Sequence, residues 1–401
     1  MKKTHTVFTA VLLLIAVNLS AVEISLASSF AENIHDQFAG LTAKRTPAVP
    51  EISRVRPLQR FYIYIFIGKP QTKNGRVDVT ASLKVKDPEG KEQTVFKKEH
   101  ILNEDMFVPG GVNLSNLVVN WDFSADDPEG VYTFTLDAQD NINRHTCRKE
   151  LKISLDRTQA KPLKVTTNEI GKFITNFYKA PQPEKLPELF DIFLASDGNA
   201  RRHKSYSPRP LIYGLAQAIK NNPLLWKEFA SRSSNLASDH KKYLAMLFAA
   251  SGDRAVKYAL ANVDGETAKT IRKMQSDNIW KFRDPFTAEE INALWLEFFF
   301  TGKREPVERI ASQLRNRPML SVRDAKNKKG RLSEQDRQEL LNYQANAAAS
   351  WSLRSHLPNH NLLFYYLEAM LERGEFADQT AASRIQKILT QTAASAVEQS
   401  K

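Results

Sequence analysis

The sequence predicts a chain of two parts, a β-sandwich followed by an irregular α-hairpin domain, and three observations carry that expectation. Apolar residues recur at a period of two between residues 59 and 156, and at helical spacing after residue 165. The turn quartet Asp-Pro-Glu-Gly occurs twice in the first part, at 87–90 and 127–130, and not in the second. Alternation puts every second side chain on one sheet face, whereas spacings of three and four put them on one helix face.

The elements follow in order. Phe61 to Ile67 is an unbroken aromatic and β-branched run, suited to a strand buried on both faces. Val77, Val79, Ala81, Leu83 and Val85 alternate with polar residues, which predicts one dry and one wet face. Proline presets φ and glycine accepts a positive φ in each Asp-Pro-Glu-Gly turn. Leu117 to Phe123, Tyr132 to Ala138 and Arg144 to Leu155 read as further strands, and short strands separated by turns predict a sandwich over residues 59–156. Beyond Asp156, Thr287 and Glu290 form a capping box, and Ile291, Leu294, Trp295, Phe298 and Phe299 follow at helical spacing. Gly302 ends that helix and Pro306 suits the first turn of the next. Helix, glycine, helix arrangements recur around Gly252 and Gly374, but the three glycines are 50 and 72 residues apart. No fixed period exists, so residues 165–398 read as an irregular, α/α superhelix-like hairpin stack. Trp226, Trp295 and Trp351 lie within helical apolar patterns, which predicts core positions for all three.

The run Asp127-Pro128-Glu129-Gly130-Val131-Tyr132-Thr133-Phe134, followed by Asp140 and a last polar-apolar strand, resembles the closing hairpin of immunoglobulin-like domains in exported bacterial proteins. That resemblance covers about a quarter of the chain and implies an architecture without naming a ligand. Leu294-Trp295, Phe298-Phe299, Thr301-Gly302, Pro306-Val307 and Trp351-Ser352-Leu353 with His360 downstream resemble segments of uncharacterised exported bacterial helical proteins, a likeness that brings no catalytic residues.

Lys2 and Lys3 followed by an apolar stretch from Val7 to Val22 have the layout of a secretory signal peptide. The stretch is shorter than the roughly 20 apolar residues of a membrane-spanning helix. Residues 1–27 are therefore assigned to the signal peptide, with the cut after Ala27 or, as an alternative, after Ala31. Residues 28–58, with Pro47, Pro50 and Pro57, read as an exposed lead-in segment. The expected location is periplasmic or secreted, with no transmembrane segment after cleavage. Cys147 is the one cysteine, which excludes both an intramolecular disulfide and a lipidated N-terminal cysteine.

Charge divides the chain. Residues 32–155 hold 17 Lys+Arg against 17 Asp+Glu, whereas residues 156–401 hold 38 against 27. The densest cluster runs from Arg315 to Arg331, and a smaller one comprises Arg201, Arg202, His203 and Lys204. The candidate anion-binding residues are Arg323, Lys326, Lys328, Lys329, Arg331, Arg201, Arg202 and Lys204, facing an acidic protein surface or an anionic envelope component. Without a recognised motif beside the charge, nucleic acid is not an expected partner. His356 and His360 are four apart, but Pro358 separates them and no glutamate lies between, so no metal site is expected there. His145 and Cys147 are two ligands at most, and Cys147 reads as a buried, inert thiol. Nucleophile elbows and phosphate-binding glycine loops are missing from the sequence, and no cofactor is expected. The expected function is that of an exported, non-enzymatic interaction protein of the bacterial envelope. The alternatives are a hydrolase acting on glycans, with catalytic residues unknown, and a passive spacer.

Overall fold

The apolar runs of the first part become the strands of two sheets in the structure, a computed structural model describing residues 22–32, 34, 51–57, 59–102, 112–124, 126–157, 163, 166–200, 207–328, 332–376 and 378–399. One sheet is antiparallel. It places β1 (Glu23–Ser29) and β6 (Val112–Leu114) on either side of β3 (Phe61–Gly68), which also pairs with β7 (Val119–Trp121). The other has the order β2-β9-β8-β4-β5, formed by β2 (Arg54–Val55), β9 (Thr146–Leu155), β8 (Gly130–Asp140), β4 (Val79–Lys86) and β5 (Glu92–His100). It is mixed, because β2 runs parallel to β9 while its other pairs are antiparallel.

Ile63 and Ile65 of β3 share one apolar core with Leu83 of β4, Phe134 of β8 and Ile153 of β9. Tyr64 and Phe66 point the other way into a smaller cluster with Ala27, Ile34 and Leu114. β3 is thus covered on both faces, as its unbroken apolar run requires. The two Asp-Pro-Glu-Gly turns meet. Gly130 adopts φ 138°, and a Cβ there would stand 2.9 Å from the Pro88 side chain, so both conformation and space call for glycine.

Three expectations change. The β half includes residues ahead of 59, because β1 pairs residue by residue with β3 from Glu23↔Gly68 to Ser29↔Tyr62. The cut expected after Ala27 falls inside that strand. The segment 28–58 is not an exposed lead-in throughout, since Ser28, Ser29 and Val55 are buried and β2 joins a sheet. Cys147 is half-buried near the start of β9.

Thirteen α-helices occur among the described residues of the second part: α1 (Thr167–Thr175), α2 (Leu186–Ala200), α3 (Arg209–Ile219), α4 (Pro223–Ser231), α5 (Ser238–Ala250), α6 (Asp253–Asn262), α7 (Gly265–Ser276), α8 (Ala288–Thr301), α9 (Arg304–Ala311), α10 (Val322–Asn327), α11 (Glu334–His356), α12 (Asn361–Glu372) and α13 (Gln379–Gln399). The Thr287–Glu290 capping box forms reciprocally, and Gly302 closes α8 in the left-handed region at φ 63°. None of the described helices is long and apolar enough to cross a membrane.

Two apolar cores fill this half, one among the earlier helices and one among the later, with Leu296 of α8 touching both. Gly214 makes the crossing of α3 and α8 possible. A Cβ there would lie 2.8 Å from Leu296 Cβ and 2.9 Å from Phe300 Cδ2. Gly214→Ala is expected to cost about 1–3 kcal/mol by overpacking. Gly171→Ala in α1, where nothing among the described residues lies within 4 Å, is expected to stabilise by up to about 1 kcal/mol. Urea unfolding of both variants checks the pair, and equal midpoints would remove Gly214 as the packing constraint.

Candidate functional site

The β half and the helical half meet at a polar cleft. Glu32 follows β1, and Arg60 and Tyr62 belong to the entrance of β3. Asn221 lies between α3 and α4, and Thr301 and Lys303 flank the glycine that ends α8. Together with Tyr178 they line a cavity of about 70 Å³, room for a few waters or for one polar group of a larger ligand.

Directional bonds hold the two sides in place. Arg60 donates to Asp122 Oδ2 at 2.7 Å within the β half and to the Asn221 carbonyl at 3.2 Å across the junction. The Asn221 side-chain amide donates back to Glu32 Oε1 at 2.7 Å. Nearby, Arg56 donates to Glu184 Oε1 at 3.1 Å. Burial pushes the Glu184 carboxyl upward despite that cation. Burial, with Glu32 adding, likewise pushes the Tyr62 hydroxyl upward, so it stays a neutral donor. Asn222 caps α4 by accepting from the backbone of Leu224 and Leu225. Lys303 is half-buried, and no ion pair holds its ammonium among the described residues. The cleft therefore combines two cations, one acid, three side-chain amides and two neutral phenols, a set that can bind an anionic or hydroxyl-rich group.

A second polar group is buried within the helical half. Glu297 of α8 is 6% exposed, and burial raises its carboxyl, with Tyr213 hydrogen-bonded to it and Arg309 nearby. Arg309 lies over the rings of Phe282 and Phe286, 4.8 and 5.3 Å from their centroids, and Arg209 lies over Trp280 at 5.5 Å. Glu289, two helical turns before Glu297, is held by Arg209 and by the Ser207 hydroxyl. Among the described residues, no group of three or more potential metal ligands forms. His356 closes α11 and His360 precedes α12, with ring centroids 6.0 Å apart. His360 accepts or donates through Nδ1 to the Tyr178 hydroxyl at 3.0 Å, which makes it a hydrogen-bonded core residue.

The basic segment from Arg315 to Arg331 is partly helical and partly spoken for. α10 forms inside it, with Ser321 as its N-cap. Arg315 and Arg317 both pair with Asp284, and Lys328 pairs with Asp336. Charge clustering thus counted cations that neutralise internal acids. Arg323 and Lys326 are exposed on α10 without an ion pair among the described residues. Lys329, Arg331, Arg201, Arg202, His203 and Lys204 lie outside the described residues. The cleft residues went unnoticed because they come from five segments far apart in the sequence, none of which carries a motif of its own. The one cue was Asn221-Asn222 directly before Pro223, a helix start with one more amide than a cap needs.

No family model matches this chain, and no curated protein matches it. Among solved structures, a family 123 glycoside hydrolase from Clostridium perfringens, studied for glycolipid glycan hydrolysis, aligns at 12% identity with a TM-score of 0.22. The alignment covers 46% of this chain and 36% of that one, so it spans about a third of that enzyme's length. A superposition this loose assigns neither fold nor activity.

Proposed function

We propose that this chain is an exported binding protein of the bacterial cell envelope, periplasmic or secreted, in which an immunoglobulin-like β-sandwich and an irregular α-hairpin domain jointly hold an anionic envelope component. The observation that carries this reading is the junction cleft, with Lys303, held by no close ion pair among the described residues, beside a locked frame of Arg60, Asn221 and Glu32. Ligand sites favour such domain junctions, and a frame already fixed by hydrogen bonds loses little freedom on binding. The two apolar cores of the helical half and the shared core of the sheets support the architectural part.

The hydrolase reading rests on Glu297, a buried acid of the kind that donates protons. Glu289 stands eight residues away on the same helix, about 12 Å of backbone rise. Its engagement with Arg209 and Ser207 weighs against that reading.

Thermal unfolding with inorganic phosphate, glycerol phosphate and glucuronate tests the binding reading. At least one probe is expected to raise the midpoint, since a ligand at about 100 times its Kd stabilises by about 2.7 kcal/mol. Lys303→Ala should abolish the rise, and the Arg323→Ala, Lys326→Ala double variant should keep it. No rise with any probe counts against the proposal. A rise lost only in the α10 variant would move the site to the basic face.

A further inference from the structure

We infer that export of this chain is accompanied by hydrolysis of the Ala21–Val22 peptide bond, so that the mature protein begins at Val22 and keeps β1. The inference rests on the export reading above and adds the position of the cut, which the fold constrains from one side and the sequence from the other.

The constraint from the fold is β1. All seven of its residues are in register with β3, from Glu23↔Gly68 to Ser29↔Tyr62. Val22 and Ile24 are 2% and 3% exposed and belong to the core that the two sheets share. Ala27 belongs to the cluster on the other face of β3, beside Tyr64 and Phe66. Side chains and backbone near the strand are fastened as well. Glu23 pairs with Lys69 at 2.7 Å, Ser28 donates to the Ile52 carbonyl, and the Tyr64 hydroxyl donates to the Ala31 carbonyl at 2.6 Å. Glu32, just beyond, accepts from Asn221 in the helical half. A cut after Ala27 would remove five of the seven strand residues, turn β3 into an open edge and uncover apolar surface on both of its faces. A cut after Ala31 would remove the whole strand and leave Glu32 as the new N-terminus.

The constraint from the sequence is the apolar stretch itself. An export peptidase cuts after a small residue at the end of the apolar stretch. Ser20 and Ala21 are the small residues at the C-terminal end of that stretch, just before the first paired residue, Glu23, whereas Ala16 lies in its middle. Water adds to the Ala21 carbonyl carbon and the bond to the Val22 nitrogen breaks. Ala21 leaves as a carboxylate on the signal peptide, and Val22 keeps the nitrogen as its new ammonium. Strand β1 then starts one residue after the new terminus, and no part of the sheet is lost.

The test is N-terminal sequencing and intact-mass measurement of the full-length chain, carrying a C-terminal tag, purified from the envelope and medium of an expressing bacterium. The expected N-terminal sequence is Val-Glu-Ile-Ser. An exported chain beginning at Ser28 or Glu32 overturns this inference and leaves export standing. An uncut chain beginning at Met1 in the cytoplasm overturns both. A bulky residue in place of Ala21, as in Ala21→Phe, should leave the exported chain uncut, and unchanged processing of that variant overturns the assignment of the bond. As an independent readout, cytoplasmic chains starting at Met followed by Val22 or by Ser28 should differ in unfolding midpoint, the shorter chain being the less stable. Equal midpoints would remove the structural argument.

Discussion

Replacing Trp295 by alanine is expected to destabilise the protein by about 3–5 kcal/mol, whereas replacing Trp351 by alanine should change stability by no more than about 0.5 kcal/mol. Both tryptophans sit at helical spacing within apolar stretches, and the sequence pattern treats them alike. The structure separates them. Trp295 is 2% exposed on α8, with the rings of Phe299 and His356 at 5.8 and 4.5 Å. Its Nε1 is buried without a hydrogen-bond partner among the described residues, so removing the side chain leaves no orphaned polar atom there. The loss is that of apolar burial plus the void left in the later core, a void that neighbours as rigid as Phe298 and Phe299 cannot collapse to fill. Trp351 is 70% exposed on α11, and its removal uncovers little. Guanidinium unfolding of both variants decides the matter. A large loss in Trp351→Ala would mean that its ring is covered in solution.

That contrast shows where the sequence could be read and where it could not. Elements that bury a face announced themselves. β3 and β4 carry unbroken or alternating apolar residues because two faces or one face respectively meet the core, and α8 was bounded by its capping box and by Gly302. β5 was missed because neither of its faces is buried. It is an edge strand with only Val95 and Phe96 half-buried, shifted in register against β4 and rich in charge, as edges exposed to water commonly are. β1 was missed for another reason. Val22, Ile24 and Leu26 alternate with Glu23 and Ser25, but the alternation follows directly on the N-terminal apolar run and was absorbed into it. Trp351 misled because α11 is alanine-rich. Ala345, Ala349 and Leu353 form its buried stripe, so its largest residue was free to face outward.

The candidate site was legible only as composition. An excess of cations in the second half is real, yet Asp284 alone takes up two of the arginines that made Arg315 to Arg331 stand out. Linear charge density counts a cation and ignores an acid thirty residues away that the fold brings beside it. The junction cleft is the converse case. Arg60 and Asn221 are 161 residues apart and touch through a backbone carbonyl, a contact that no local pattern encodes.

Acid should weaken the protein through His360, and the sign follows from its surroundings. Burial, with the Lys179 ammonium and His356 adding, holds the His360 imidazole down at about 3 from an ordinary value of 6.5. The side chain is 2% exposed, stacked against Phe299 at 5.0 Å and bonded to the Tyr178 hydroxyl. Lys179 is committed to the Asn359 carbonyl at 2.7 Å and stays close as a fixed positive neighbour. The folded chain therefore keeps this imidazole neutral, whereas the unfolded chain binds a proton below about pH 6.5. Its contribution to stability is complete above that pH and is lost as pH falls toward 3, at up to about 1.4 kcal/mol per pH unit. Glu297 and Glu184 act in the opposite sense, because burial raises both carboxyls and their contribution fades as pH rises through the folded values. A variant comparison isolates the histidine. His360→Gln keeps an acceptor for Tyr178 and cannot titrate, so its stability deficit against the native chain should shrink by about 2–3 kcal/mol between pH 7 and pH 4.5. Urea unfolding at a series of pH values measures that deficit. A deficit that stays constant across the series would mean that the imidazole titrates alike in the folded and unfolded chains, and that the aromatic enclosure around it opens to water.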